Sequence, residues 1–93
     1  MKVYLSGGIT GVANYFEKFA EAADTLRQQG HSVFNPAAAN LETWPLREIF
    51  AYELTWLCKE AEAIALIPGW ETSKGVAAEL ATAKALGLEI IHL

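Results

Sequence analysis

The fold is decided by one stretch of the chain, residues 61–80, which reads AEAIALIPGWETSKGVAAEL. It contains a run of apolar residues at positions 63–67, which Pro68 and Gly69 bring to an end. Continuous apolar runs of this length are typical of parallel strands that are covered on both faces. From Ser73 onward the apolar residues recur at helical spacing. The stretch therefore predicts a buried strand, a loop and a helix.

The rest of the chain continues this alternation of strand and helix. Short apolar segments at residues 3–5, 31–34 and 88–93 predict three further strands. Because helices separate the predicted strands, the connections favour right-handed crossovers and a parallel sheet. The 93 residues suffice for one hydrophobic core but not for two. We therefore predict a single small α/β domain over residues 1–93, doubly wound in the Rossmann or flavodoxin manner, with a four-stranded parallel sheet and three helices.

Local signals mark the first two helices. The first is predicted to begin at Asn14, with Glu17 as its capping-box partner, and to end at Gly30. The second begins near Thr43 and Pro45. Their predicted buried stripes are Phe16, Phe19, Ala20, Ala23 and Leu26 in the first helix, and Leu46, Ile49, Phe50, Leu54 and Leu57 in the second. Both helices are therefore predicted to be amphipathic.

Composition and charge exclude several classes of protein. The net charge is −4 and the sequence has no basic cluster, which argues against a nucleic-acid polymer as the partner. No apolar run reaches the roughly 18 residues that span a bilayer, and the first residues are too few and too polar for a signal peptide. The single cysteine, Cys58, and two widely spaced histidines indicate no disulfide and no metal site. A cytoplasmic protein is expected.

The loops after the strands hold the candidate ligand site, because ligands of doubly wound sheets bind beyond the carboxyl ends of the strands. The first loop, residues 6–11, reads SGGITG. Its glycines would let backbone amides approach a ligand closely, although a plain turn explains them equally well. The third loop leads into a helix at Ser73 and Gly75, where free amides and the positive end of the helix dipole favour an anion.

Two glutamates interrupt the apolar faces of the predicted helices. Glu79 falls on the face of the third helix that should contact the sheet, unless it tilts to the rim and stays solvated. Glu53 intrudes in the same way on the second helix, although it could also remain at the boundary of the core. Two carboxylates near an anion site suggest glycosidic chemistry, in which one attacks the anomeric carbon and the other protonates the leaving group.

Several segments resemble the nucleoside 2-deoxyribosyltransferase-like superfamily, which includes nucleoside deoxyribosyltransferases and 2′-deoxynucleoside 5′-phosphate N-hydrolases. They are residues 3–9 (VYLSGGI), 54–57 (LTWL) and 73–79 (SKGVAAE). Residues 67–75 (IPGWETSKG) are most similar to an uncharacterised branch that is common in phages and prophages. The resemblance covers nearly the whole chain.

The resemblance implies roles for the matching residues. Glu79 would be the nucleophile that forms a covalent deoxyribosyl ester at C1′, and Tyr4 would position it. Glu53 stands where the N-hydrolases carry an aspartate that assists departure of the base. The predicted substrate-binding residues are Gly7, Gly8 and Ile9 of the first loop, Ser73 and Gly75 at the phosphate-binding helix start, and Ser6 and Asn35 at two strand ends.

The resulting functional hypothesis is hydrolysis or transfer at the N-glycosidic bond of 2′-deoxynucleosides or their 5′-monophosphates, without metal or cofactor. The alternatives are a non-catalytic nucleotide-binding module and an oligomeric interaction domain with a vestigial cleft. The expected partners are a small-molecule nucleoside or nucleotide and a second copy of the chain, because part of the transferase site comes from a neighbouring subunit. Trp44, Trp56 and Trp70 are candidates for a dimer interface, and core packing explains each of them equally well.

Overall fold

Four strands and three helices alternate along the chain, as the sequence predicts. A computed structural model describes all residues, Met1–Leu93. The strands are β1 (Lys2–Ser6), β2 (Ser32–Phe34), β3 (Ala63–Leu66) and β4 (Glu89–His92). The helices are α1 (Tyr15–Gln28), α2 (Leu46–Lys59) and α3 (Lys74–Ala85), and short 3₁₀ turns at Pro36–Ala39 and Trp70–Thr72 precede α2 and α3.

The strands form one parallel sheet in the order β2-β1-β3-β4. Helix α1 packs on one face through Phe19, Ala23 and Leu26, whereas α2 and α3 pack on the other. This arrangement confirms the predicted doubly wound α/β fold. The order of the strands reverses between β1 and β3, so the crevice beyond the carboxyl ends of these two strands is the place where such folds bind ligands.

Strand β1 contributes to both layers of the core. Val3 and Leu5 pack against α1, and Tyr4 packs against α2 and α3. Ser6 follows Tyr4 on the same face, because alternate residues of a strand point the same way. All four side chains are buried. The last residues of β1 therefore carry two hydroxyl groups into the layer beneath α2 and α3.

The predicted helix ends need correction. Asn14 precedes α1 but has a left-handed backbone (φ 61°) and makes no side-chain capping bond, so the capping box with Glu17 is wrong. A capping side chain needs an extended backbone to reach the first amides of the helix. Phe16 and Leu46 were predicted for the buried stripes but are exposed, and Leu86 at the end of α3 is exposed as well. Each lies at a helix end, where helical spacing continues although contact with the sheet does not.

Glycine ends two of the helices. Gly30 follows α1 and Gly87 follows α3, both with positive φ. In each case the next amide turns back to a carbonyl in the last turn of the helix, from His31 to Leu26 and from Leu88 to Ala83. This is the pattern of a Schellman motif, which returns the chain toward the sheet.

None of the three helices combines the length and apolar composition that crossing a bilayer requires.

The glycine loop is held close to the core, which predicts unequal tolerance to substitution. A Cβ atom on Gly7 would lie 3.0 Å from Cβ of Ile67 and 3.2 Å from Cζ of Phe19. Because both neighbours are buried, we expect Gly7→Ala to lower the free energy of unfolding by about 1–3 kcal/mol, measured by urea denaturation.

Gly8→Ala is the matched control for this prediction. Its added Cβ would meet Cγ2 of Val12 at 3.5 Å, an ordinary contact, so the expected change is below about 1 kcal/mol. Equal losses in the two variants would contradict the assignment of Gly7 to a close-packed position.

Candidate active site

The carboxylate of Glu79 lies at the carboxyl end of β1, on the side of the sheet that α3 covers. Its side chain is held by two short hydrogen bonds. The Tyr4 hydroxyl donates to Oε2 over 2.7 Å, and Ser6 Oγ donates to Oε1 over 2.6 Å. Glu79 is only 6% exposed. Hydroxyl donors at these distances form charge-assisted bonds, so each carboxylate oxygen has a strong partner.

The position of Glu79 follows from the apolar face of α3. Val76, Leu80 and Ala83 are buried against the sheet, and Glu79 falls within the same helical stripe. A carboxylate at such a position is costly unless donors replace its water. Tyr4 and Ser6 supply those donors from β1. The alternative in which Glu79 tilts to a solvated rim is therefore wrong.

Glu53 brings a second carboxyl group to this layer from α2. It is 8% exposed, so the alternative of a boundary position does not hold. Burial, and then the nearby charge of Glu79, raise the pKa of Glu53 to about 8. Its carboxyl group is therefore largely protonated at neutral pH.

Hydrogen bonding distinguishes the two carboxyl groups. Burial raises the pKa of Glu79 as well, but the hydrogen bonds that Ser6 and Tyr4 donate oppose that rise. Burial, followed by the charges of Glu79 and Glu53, raises the pKa of Tyr4, so its phenol remains a donor. We infer that the pair holds one proton at neutral pH, on Glu53, and that Glu79 is the ionised member.

The start of α3 lies across the crevice from the glycine loop. Ser73 has an extended backbone, and its Oγ accepts a hydrogen bond from the Val76 amide over 3.3 Å, as the sequence predicts for a helix cap. A Cβ atom on Gly8 would lie 3.9 Å from Cβ of Ser73, so the two loops are neighbours. The first amides of α3, including that of Gly75, have no carbonyl partner within the helix and point beyond its amino-terminal end, toward this crevice. The structure thus joins the predicted anion site to the predicted glycine loop.

The other predicted substrate-binding residues have different surroundings. Ile9 is exposed in the glycine loop, and Gly7 packs against Ile67 and Phe19. Asn35 accepts a hydrogen bond from the Ala37 amide over 3.0 Å and thereby caps the 3₁₀ turn that follows β2. Asn35 is therefore a turn residue, the more common role of asparagine at such a place. None of these three residues hydrogen-bonds to Glu79.

An aromatic cluster that the sequence did not indicate leads from Glu79 to the surface. The ring of Tyr4 stacks on Phe34 with centroids 5.3 Å apart, and Phe34 stacks on Trp56 at 4.9 Å. Tyr52 follows at 5.8 Å from Phe34, and Trp44 lies edge-on to Tyr52 at 5.7 Å. Tyr52 and Trp44 are exposed. The i, i+4 spacing of Tyr52 and Trp56 on α2 was the available signal.

The sequence that forms this site can be compared with known families. A family model described as Domain of unknown function (DUF4406) matches residues 1–92. The chain belongs to this family. Every strand and helix of the DUF4406 domain lies within the matched residues, so the match includes Tyr4, Ser6, Glu53 and Glu79. No curated protein gives a significant match, and the resemblance to the deoxyribosyltransferase-like superfamily stays a prediction.

Metal-binding residues do not gather in this DUF4406 domain. No group of three or more His, Cys, Asp and Glu side chains is placed to hold a metal ion. The site described above consists of two carboxyl groups, two hydroxyl donors, a glycine loop and a helix start. It has the components that acid–base and nucleophilic chemistry on an anionic substrate require.

The raised pKa of Glu53 predicts how the stability of the DUF4406 domain depends on pH. That pKa rises from an ordinary value of 4.5 to about 8 on folding. Between these values the folded state binds more protons than the unfolded state, so the free energy of unfolding falls as pH rises and levels off above about 8. Glu79 contributes with the same sign, because burial raises its pKa too.

Urea denaturation between pH 4.5 and 9 measures this dependence. Glu53→Gln removes the titrating group, so we expect a smaller fall in the free energy of unfolding than in the wild type. Glu42→Gln, which changes an exposed glutamate in the loop before α2, should show the same fall in the free energy of unfolding with pH as the wild type. An unchanged pH dependence in Glu53→Gln would show that Glu53 titrates as a solvated carboxylate.

Proposed function

We propose that the protein cleaves the N-glycosidic bond of a 2′-deoxynucleoside 5′-monophosphate through a covalent deoxyribosyl ester on Glu79. One observation carries this proposal: the buried carboxylate of Glu79 is hydrogen-bonded at both oxygens and stands at the switch point of the sheet, beside the second buried carboxyl group, that of Glu53, whose pKa is raised by burial. A two-carboxylate glycosidic reaction needs one ionised carboxylate as the nucleophile and one protonated carboxyl group as the acid.

The first step of the proposed reaction forms the ester. A carboxylate oxygen of Glu79 attacks C1′ of the sugar as the bond from C1′ to the base nitrogen breaks. The electron pair of that bond stays with the base, which takes up a proton from the carboxyl group of Glu53. The products are the free base, a deoxyribosyl ester of Glu79 and an ionised Glu53.

The second step releases the sugar. Water attacks C1′, the ester bond to Glu79 breaks, and Glu53 accepts the proton that the water loses. Deoxyribose 5-phosphate leaves, and both glutamates return to their starting protonation states. A second nucleobase in place of water would give base exchange, which is the transferase form of the same reaction.

The start of α3 accounts for the preference for a phosphorylated substrate. Its free amides and dipole favour an anion, and the exposed Lys74 adds a positive charge beside them. Since Ser73 and Glu79 belong to one loop-and-helix segment, a phosphate bound at the helix start would place the sugar near the nucleophile. Cys58 is the only cysteine and is unpaired, so we expect a cytoplasmic location. A nucleotide substrate is consistent with that location.

Release of free base tests the proposal. Purified protein is incubated with each of the four deoxynucleoside monophosphates, and the base is measured by liquid chromatography. We expect base release from at least one of them, and a loss of at least about 100-fold in Glu79→Gln, which keeps the shape of the side chain but removes its nucleophilic charge.

Glu89→Gln is the matched control, because Glu89 is an exposed glutamate that opens β4, at the amino end of the sheet. It should retain wild-type turnover. No base release from any substrate, or equal release by the wild type and Glu79→Gln, would contradict the proposal. Nucleotide binding without turnover would favour the alternative of a non-catalytic binding module.

A further inference from the structure

We propose that Ser6 is a positioning residue, which acts with Tyr4 to orient the carboxylate of Glu79 and to keep it ionised, and that it does not contact the substrate. This inference rests on the proposed function, because it assigns a task within the same site. It replaces the role in substrate binding that the sequence predicted for Ser6.

The hydrogen bonding of Ser6 supports this role. Its Oγ lies 2.6 Å from Oε1 of Glu79. An ionised carboxylate only accepts hydrogen bonds and a serine has a single hydroxyl hydrogen, so Ser6 must donate that hydrogen to Glu79. The residue is 1% exposed. A substrate in the crevice would therefore meet the carboxylate and not the serine hydroxyl.

The two donors hold different oxygens of Glu79. Tyr4 donates to Oε2 and Ser6 donates to Oε1, so together they fix the rotation of the carboxylate plane. Both belong to β1, which pairs with β2 on one side and β3 on the other. Donors on a central strand move little, and a nucleophile that is already oriented loses less freedom in the reaction.

The surroundings of Glu79 make the second donor decisive for its charge. Tyr4 and Ser6 face it from β1, Glu53 faces it from α2, and the residues of β3 on this side, Ile64 and Leu66, are apolar. No cation therefore stabilises the charge of Glu79. Neighbouring carboxylates resist ionising together, and the hydrogen bonds from Tyr4 and Ser6 favour Glu79 as the ionised member, so the shared proton lies on Glu53.

Titration of the glutamate side chains tests the role of Ser6 without relying on turnover. Carbon-13 NMR follows the chemical shifts of the side-chain carboxyl carbons as the pH is changed. The carboxyl signal that is missing from the spectrum of Glu79→Gln is assigned to Glu79. We expect Ser6→Ala to raise the titration midpoint of Glu79 by about one to two pH units, since a hydrogen bond to a charged group contributes about 1.5–3 kcal/mol. Thr10→Val, which removes an exposed hydroxyl from the same loop, should leave the midpoint unchanged.

Activity gives a second and independent readout. In Ser6→Ala the acid limb of the pH profile of base release should move upward and kcat should fall about tenfold, whereas KM for the nucleotide should stay within about twofold. Ser6→Cys, which keeps a weaker donor of similar size, should give a midpoint between those of Ser6→Ala and the wild type.

Two results would overturn the inference. One is an unchanged Glu79 midpoint in folded Ser6→Ala. The other is a rise in KM without a shift of the acid limb, which would make Ser6 a substrate contact. If the wild type releases no base at all, the proposed function fails, and the NMR titration still decides whether Ser6 sets the charge of Glu79.

Discussion

The structure depends on one interaction, the attachment of the Glu79 carboxylate to two hydroxyl groups of β1. A carboxylate on the buried face of α3 would otherwise oppose the packing of this helix on the sheet. With its donors in place, the same side chain links the helix to the central strand at the carboxyl edge. Burial raises the pKa of both glutamates, and Ser6 donates its hydrogen bond to Glu79, which favours the charge of that side chain. The contact that compensates for burying this carboxylate therefore also orients the group that we propose as the nucleophile.

The proposed reaction uses the geometry of a single segment. Ser73 caps α3 and Glu79 lies between one and two turns further along the same helix, so the helix itself fixes the proposed phosphate site relative to the proposed nucleophile. The glycine loop approaches this helix start closely enough to form the opposite wall of the crevice. Helix α2 then adds Glu53, together with Trp56, which stacks on Phe34 at the end of β2, and Phe34 in turn stacks on Tyr4. The start of α3, the glycine loop and α2 thus all contribute to the site.

The sequence predicted the fold well because strands and helices leave local patterns. The apolar run at residues 63–67 and the helical spacing after Ser73 are examples. It also predicted that Glu79 and Glu53 are out of place on apolar faces. It could not predict the bond from Ser6 to Glu79, which joins residues 73 positions apart, although the two-residue spacing of Tyr4 and Ser6 on a strand was a signal. The cap at Asn14 failed because a left-handed backbone is not visible in a local motif.

Detection of the covalent intermediate tests the central claim, that Glu79 is the nucleophile, most directly. The protein is mixed with a deoxynucleoside monophosphate, quenched in acid during turnover, digested and examined by mass spectrometry. The account predicts that the peptide containing Glu79 gains the mass of a deoxyribosyl phosphate group, and that fragmentation places this group on Glu79. Base release with no adduct, or with the adduct on another residue such as Glu53, would contradict it.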